Sequence, residues 1–220
     1  MGKLIVIEGL DGSGKGTQAQ LLFDRLVKEG RKVKKISFPV YSSDSSALVR
    51  MYLAGQFGSR PGDVNAYAAS SFYAVDRFAS FKADWGKDYS DDYIIIADRY
   101  TTSNGVHQCS KLPEDEWNSF MDWLYDFEYK KMGIPSPDTV IYLDMSPRVS
   151  QKLLTSRYSG DESKKDIHEK DKEYLDRSRQ AARFCAEHDG WKTVKCDNGE
   201  TPYSVEEISV AVYDAIKHLL

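Results

Sequence analysis

Apolar residues along this chain fall into two alternating rhythms. Short runs rich in β-branched residues occur at LIVIE (4–8), VKKISF (33–38), YIIIAD (93–98), TVIYLD (139–144) and KTVKC (192–196). The first, third and fourth are nearly continuous apolar runs, as expected of strands buried on both faces of a parallel sheet. Between the runs lie longer stretches of helical period, such as 18–29, with Leu21, Leu22, Leu26 and Val27 on one stripe. The last of these opens on Ser204 with Glu207 three residues later, the spacing of a capping box. Strand and helix alternating over the whole length predict a three-layer α/β fold with right-handed crossovers.

Nothing in the pattern divides the chain. With 220 residues and no internal repeat or Pro/Gly-rich linker, a single domain spanning 1–220 is expected, with room for a small lid. The exception to the rhythm is 156–174, SRYSGDESKKDIHEKDKEY, highly charged and almost without apolar residues. It reads as a mobile flap, an exposed helix start or a solvated insertion.

Composition narrows the partners. A formal charge of -4 gives no reason to expect duplex nucleic acid. Cys109, Cys185 and Cys196 are too scattered for a disulfide framework or a zinc site and read as reduced thiols. The N-terminal apolar run is too short for a signal sequence or a membrane span, and Val6 stands where a myristoylation signal needs Ser or Thr. A cytoplasmic protein with no membrane partner is expected.

The chemistry is concentrated in VIEGLDGSGKGTQ (6–18). A buried strand, a glycine-rich turn and a helix start make a phosphate cradle, in which successive N–H groups and the helix N-terminus face an anion. GLDGSGK matches G-x-x-x-x-G-K, with Lys15 reaching the β- and γ-phosphates of a nucleoside triphosphate. The next residue, commonly a Mg²⁺-binding Ser or Thr, is Gly16, and Thr17 points about 100° away on the helix. A signalling GTPase would carry N-K-x-D, but none of Asn65, Asn104, Asn118 and Asn198 is followed by lysine. A small kinase is the reading that remains among catalytic P-loop proteins.

Further residues suit that reading. Asp98 ends a buried strand at the edge where α/β proteins bind ligands, where a carboxylate can hold Mg²⁺ or its waters or cap the next turn. Arg99 is a planar bidentate donor suited to a phosphate or to an ion pair. Asp11 is unusual, because it adds negative charge beside a polyanion. Tyr73 and Arg77 stand one turn apart on a predicted helix, where an aromatic and a cation can address a base together.

At this point the chain resembles the thymidylate kinases, of the nucleoside monophosphate kinase group, from Lys3 to its C-terminus. The family loop E-G-x-[DE]-x-x-G-K-x-T is matched at every fixed position from Glu8 to Thr17, through Gly9, Leu10, Asp11, Gly12, Ser13, Gly14, Lys15 and Gly16. FPVY (38–41), FYAVDR (72–77), DRYTTSNGVHQ (98–108) and VIYLDMSP (140–147) resemble four further family segments in the same order. The resemblance implies a homodimeric P-loop NTPase fold with a five-stranded parallel sheet and a mobile lid, and ATP- and Mg²⁺-dependent conversion of dTMP to dTDP. It implies that the FPVY segment, with Phe38, Pro39 and Tyr41, packs beside the bound nucleotide on the acceptor side, Tyr73 stacks on thymine, Arg77 donates to its carbonyl edge, and Arg99 holds the acceptor phosphate. Asn104 and Gln108 belong to the same acceptor pocket, Asp11 accepts from the sugar 3′-hydroxyl, and Asp98 with Thr17 are the candidates for Mg²⁺. Because position 12 is glycine, the chain resembles the branch that delivers a catalytic arginine from the lid, with Arg157 the candidate and Lys164 and Lys165 beside it.

The chain departs from the family pattern at three places. Val40 and Tyr41 stand where an arginine often follows F-P, with Arg50 the alternative phosphate contact or a surface residue. His107 replaces a tyrosine that crowds the sugar 2′ position, which leaves the preference for deoxyribose open. His168 with Glu169 has no second histidine to complete a metal site. Apolar positions at Phe72, Phe78 and Phe81 suit a dimer face. Alternatives are a kinase of another deoxynucleotide or of a nucleoside, and a P-loop protein that binds ATP without turnover.

Overall fold

The computed structural model describes residues 1–157 and 172–220, with side chains described for 1–155 and 173–220. Five strands form one all-parallel sheet: β1 (Lys3–Gly9), β2 (Val33–Ser37), β3 (Ile94–Asp98), β4 (Thr139–Asp144) and β5 (Lys192–Lys195), in the order β2-β3-β1-β4-β5. β1 lies in the middle and is buried from Leu4 to Gly9. Its continuous apolar run is needed because alternate residues enter opposite layers. Leu4 and Val6 join Trp85, Tyr100, Phe120 and Cys185 on one face. Ile5 and Ile7 join Leu22, Leu26, Val212 and Ile216 on the other.

Helices α1 (Lys15–Lys28) and α9 (Val205–Ile216) cover the second face. The expected capping box opens α9: Ser204 Oγ accepts from Glu207 N at 3.1 Å, and Glu207 Oε2 accepts from Ser204 N at 2.8 Å. The opposite face is covered by α3 (Ala66–Ser80), α4 (Gly86–Ser90), α5 (Thr101–Cys109), α6 (Trp117–Tyr125) and α8 (Lys172–His188), with α2 (Ala47–Leu53) leading into α3. α7 (Pro147–Arg157) follows β4. Two π-helical turns, Phe81–Trp85 and Asp126–Lys131, extend α3 and α6. Each adds a residue to a helical turn and so breaks the 3.6 period on which the sequence reading relied.

Parallel register brings the carboxyl ends of the inner strands together. Asp98 pairs with Ile7 on one side and Ser37 on the other, and Gly9 pairs with Leu143. This edge is where ligands bind in open α/β sheets. Phe78 and Phe81 are partly buried against the core, and Phe72 packs on Tyr52 and Phe57. The exposed apolar positions of α3 are Tyr67 and Val75. Among the described residues, no helix is long and apolar enough to cross a membrane.

Candidate active site

The loop between β1 and α1 is built to approach its surroundings closely. At Gly12 φ is +80°, and a Cβ would lie 2.7 Å from the carbonyl oxygen of Ser150 in α7, so only glycine fits there. Gly14 caps α1 in the left-handed region, which turns the chain into the helix at Lys15. The Lys15 ammonium is buried and donates to the Leu10 carbonyl at 2.8 Å, with Asp11 Oδ1 at 3.8 Å. Burial pushes it down to about 8 and the charge of Arg99 adds to that, against the pull of Asp11, Asp98 and Glu8. Ser13 N donates back to Leu10 O at 3.2 Å, and its buried hydroxyl has no hydrogen-bond partner among the described residues.

Gly16 has a local reason of its own. A Cβ there would lie 3.2 Å from Asp98 Oδ2, so glycine lets that carboxylate lean over the first turn of α1. Thr17 is exposed, and Thr17 and Asp98 border the same cavity. Among the described residues no group of three or more His, Cys, Asp or Glu side chains could cage a metal.

Arg99 stands at the centre of the charges. It follows β3 with φ +67°, a left-handed conformation costly for a residue with a Cβ. Its Nη2 donates to Asp11 Oδ1, its Nη1 lies 3.3 Å from His107 Nε2, and Glu8 Oε1 is 4.0 Å away. Burial opposes the charge, but Asp11 and Glu8 outweigh it and hold the guanidinium above its ordinary range. Asp11 therefore bridges Lys15 and Arg99, which accounts for an acid in an anion-binding loop. Glu8 is fully buried and accepts from Thr102 Oγ1 at 2.9 Å, Ser103 Oγ at 2.8 Å and Gly9 N at 3.0 Å, tying the loop to α5.

A cavity of about 560 Å³ joins these parts. The phosphate loop lines it with Asp11, Gly12 and Gly14 to Thr17, and Asp98 and Arg99 line it from β3. Ser37, Phe38, Pro39 and Tyr41 border it after β2, and Leu153 and Leu154 from α7. Phe38 is buried, its ring 5.9 Å from that of Tyr100, and the Phe38–Pro39 bond is cis. The turn that follows is pinned by Asp76, whose carboxylate accepts from Val40 N at 2.8 Å and Ser45 Oγ at 2.6 Å. Arg50 Nη1 donates to Tyr41 O, Ser43 O and Ser46 Oγ, so this arginine holds the turn's carbonyls and does not line the cavity.

Deeper on the α3–α5 side, the expected base-reading residues are engaged with a partner absent from the sequence reading. Arg77 is buried on α3, and its Nε and Nη2 donate to Glu128 Oε2 at 2.7 Å and Oε1 at 2.6 Å. Burial opposes the Arg77 charge, and Glu128 outweighs it to hold the guanidinium up. Asn104 Nδ2 donates to Glu128 Oε1 and to Ser70 O, both at 3.1 Å. Tyr73 is half-buried one turn before Arg77. His107 Nδ1 lies 3.2 Å from Tyr174 Oη, which also donates to the His107 carbonyl at 3.1 Å, and the two rings stack. His107 is thus held from both sides rather than merely substituting for a larger ring. The Gln108 amide is fully buried with neither end hydrogen-bonded among the described residues.

Arg157 closes α7, but its side chain lies outside the described residues, as do Lys164, Lys165, His168 and Glu169. Glu8 and Asp76 stood inside recognised motifs without an assigned role. Glu128 stood in none, and its only signal was an acid between Phe127 and Tyr129.

A glycine cradle with a buried lysine, an aspartate bridging it to a second cation, and an acceptor-side wall in one cavity define a P-loop kinase of nucleoside monophosphates. Comparison with known proteins agrees. A family model described as thymidylate kinase matches residues 7–207, and the chain belongs to that family. It is 29% identical to a thymidylate kinase of Mycobacterium tuberculosis over 177 residues, covering 80% of this chain and 81% of that one. It is 30% identical to the thymidylate kinase of Schizosaccharomyces pombe over 149 residues, 68% of this chain and 64% of that one. A solved thymidylate kinase from Candida albicans shares the fold with a TM-score of 0.73 at 22% identity, over 99% of this chain and 92% of that chain.

Proposed function

We propose that the protein transfers the γ-phosphate of ATP to dTMP, giving dTDP. The observation that carries this reading is the shared cavity, in which the donor's phosphate loop faces Phe38, Pro39 and Arg99 across Asp11. An oxygen of the acceptor phosphate attacks the γ-phosphorus while the bond to the bridging oxygen of ADP breaks. That oxygen is already anionic, so positioning and charge neutralisation carry the reaction. Lys15 and the loop N–H groups hold the β- and γ-phosphates. Arg99 binds the acceptor phosphate, and Asp11 fixes its position and accepts from the 3′-hydroxyl. Tyr73, Arg77, Asn104 and Gln108 contact the acceptor nucleoside, with His107 beside the sugar.

The donor set suits Mg²⁺. Asp98 and Thr17 border the same cavity as hard oxygen donors, and Mg²⁺ takes one or two carboxylates with phosphate oxygens rather than a full protein cage. When bound, the ion would neutralise charge on the donor phosphates, adding to the cations Lys15 and Arg99 that Asp98 already faces. On this reading the chain is one domain over 1–220, and its charged segment 156–174 is a lid bringing Arg157, with Lys164 and Lys165, to the transferring phosphate. Exposed Tyr67 and Val75 on α3 support a homodimer, and the composition supports a cytoplasmic setting.

A coupled assay with ATP, Mg²⁺ and a panel of nucleoside monophosphates tests the assignment. dTMP is expected to be the preferred acceptor. A protein that binds ATP yet phosphorylates no monophosphate would contradict the reading, and turnover of another acceptor above dTMP would redirect it.

A further inference from the structure

Glu128 sits on the π-helical turn Asp126–Lys131 and is fully buried. Each of its oxygens receives two donors. Oε1 accepts from Arg77 Nη2 at 2.6 Å and Asn104 Nδ2 at 3.1 Å, and Oε2 from Arg77 Nε at 2.7 Å and Thr101 Oγ1 at 2.8 Å. One carboxylate thus gathers side chains from α3 and α5, including Arg77 and Asn104, two of the groups that contact the acceptor nucleoside in the proposed function.

The arrangement sets a hydrogen-bond polarity. Asn104 Nδ2 has two acceptors at 3.1 Å, the Glu128 carboxylate and the Ser70 carbonyl, and neither can donate. Both amide hydrogens are used on them, which leaves the carbonyl Oδ1 as the group Asn104 can offer to a ligand. Turning the amide over would set Oδ1 against a carboxylate. Arg77 is likewise fixed as a donor, since a guanidinium has no acceptor. The pair offers one donor and one acceptor. That matches a pyrimidine with a C4 carbonyl and an N3–H, as in thymine and uracil. Cytosine, with an amino group at C4 and a bare N3, presents the reverse pattern and would meet donor with donor and acceptor with acceptor.

We infer that Glu128 is a positioning residue that locks the Asn104 amide and the Arg77 fork, and so sets the preference for 4-keto over 4-amino pyrimidine monophosphates. The inference rests on the proposed function, in which the acceptor base lies against Arg77 and Asn104. Rejection by mismatched buried polar groups is far steeper than rejection by size, so the locked polarity is an efficient discriminator.

The test compares kcat/KM for dTMP and dCMP, at fixed ATP and Mg²⁺, in wild type, Glu128→Gln, Glu128→Asp, Arg77→Ala and Asn104→Ala. Glutamine can donate to Asn104 Oδ1 and so permits the amide to turn. Glu128→Gln is expected to shrink the dTMP:dCMP ratio roughly tenfold or more, mainly through a raised KM for dTMP, with the KM for ATP within about twofold. A general loss of fold would lower both acceptors together and leave the ratio intact. Circular dichroism and thermal unfolding establish whether Glu128→Gln folds. If it does not, Glu128→Asp, which keeps the charge but shortens the reach, provides the deciding ratio. An unchanged ratio, while Arg77→Ala and Asn104→Ala each raise the KM for dTMP, overturns the role of Glu128 alone. If those two variants leave the KM for dTMP unchanged, the base lies elsewhere, and the inference falls together with the pocket reading.

Discussion

The two ends of the candidate site are built by different means. On the proposed function, the donor end addresses its anion with backbone and side chains within one short segment, Glu8 to Thr17, between a strand and its following helix. At the acceptor end the groups come from α3, α5 and a π-helical turn, and are held by ion pairs between residues far apart in sequence, such as Arg77 and Glu128. The donor end needs only to hold phosphates, which any nucleoside triphosphate carries. The acceptor end must choose a base, which requires donors and acceptors fixed in direction. A contiguous loop with one lysine serves the first task, and a saturated buried network serves the second.

Breaking each end separately should therefore give different kinetic signatures. The largest effect is expected for Lys15→Ala, which removes the compact charge from the cradle: kcat should fall by about 10³-fold or more, with thermal stability retained. Steady-state turnover alongside an unfolding curve checks both parts. Arg77→Ala should raise the KM for dTMP by roughly 10²-fold and that for ATP by no more than a few-fold. Equal effects on the two substrates would move this arginine out of the acceptor pocket.

The contrast also explains what could be read from sequence. The sheet was legible because strands buried on two faces must be continuously apolar, and β4 occupies Thr139–Asp144 as the pattern predicts. The start of α1 was not, since Gly14 caps it and Lys15, Gly16 and Thr17 carry no apolar stripe, so the helix begins three residues before the expected position. β2 stops at Ser37, before Phe38 turns in to pack on Tyr100 ahead of Pro39. The phosphate loop was legible in full because its parts are contiguous. Arg77 could be assigned a task but not a partner, since Glu128 lies 51 residues away on a π-helical turn that no 3.6-residue period marks. For the same reason Arg50 read as a phosphate contact or a surface residue, whereas three oxygens of its own turn claim it.

Smaller effects come from two lysines that differ in their surroundings. Lys15 is held down to about 8 despite nearby carboxylates, so above that pH the protein loses its ammonium before any anion binds. The Kd for ATP should weaken by up to about tenfold per pH unit above 8, a slope Lys15→Ala would abolish; isothermal titration at pH 7, 8 and 9 measures it. Lys111, on the acceptor side, donates to Tyr52 Oη at 2.8 Å and Val64 O at 3.1 Å, and burial lowers it to about 7. Between that value and the ordinary lysine range near 10.4, the unfolded chain binds the extra proton, so stability rises with pH over this window. Lys111→Met should lose the part of that rise which begins near pH 7, seen as a smaller gain in Tm from pH 6.5 to 9.

On the proposed function, donor loop and acceptor wall share one cavity across Asp11 and Arg99. A bisubstrate ligand, adenosine and thymidine joined through a polyphosphate, measures this directly by calorimetry. Its Kd is predicted to lie at least about 100-fold below that of ATP or dTMP alone, because the second half binds at high effective concentration. A bisubstrate that binds no tighter than the better single nucleotide would mean the two sites cannot be occupied together, and would contradict the account.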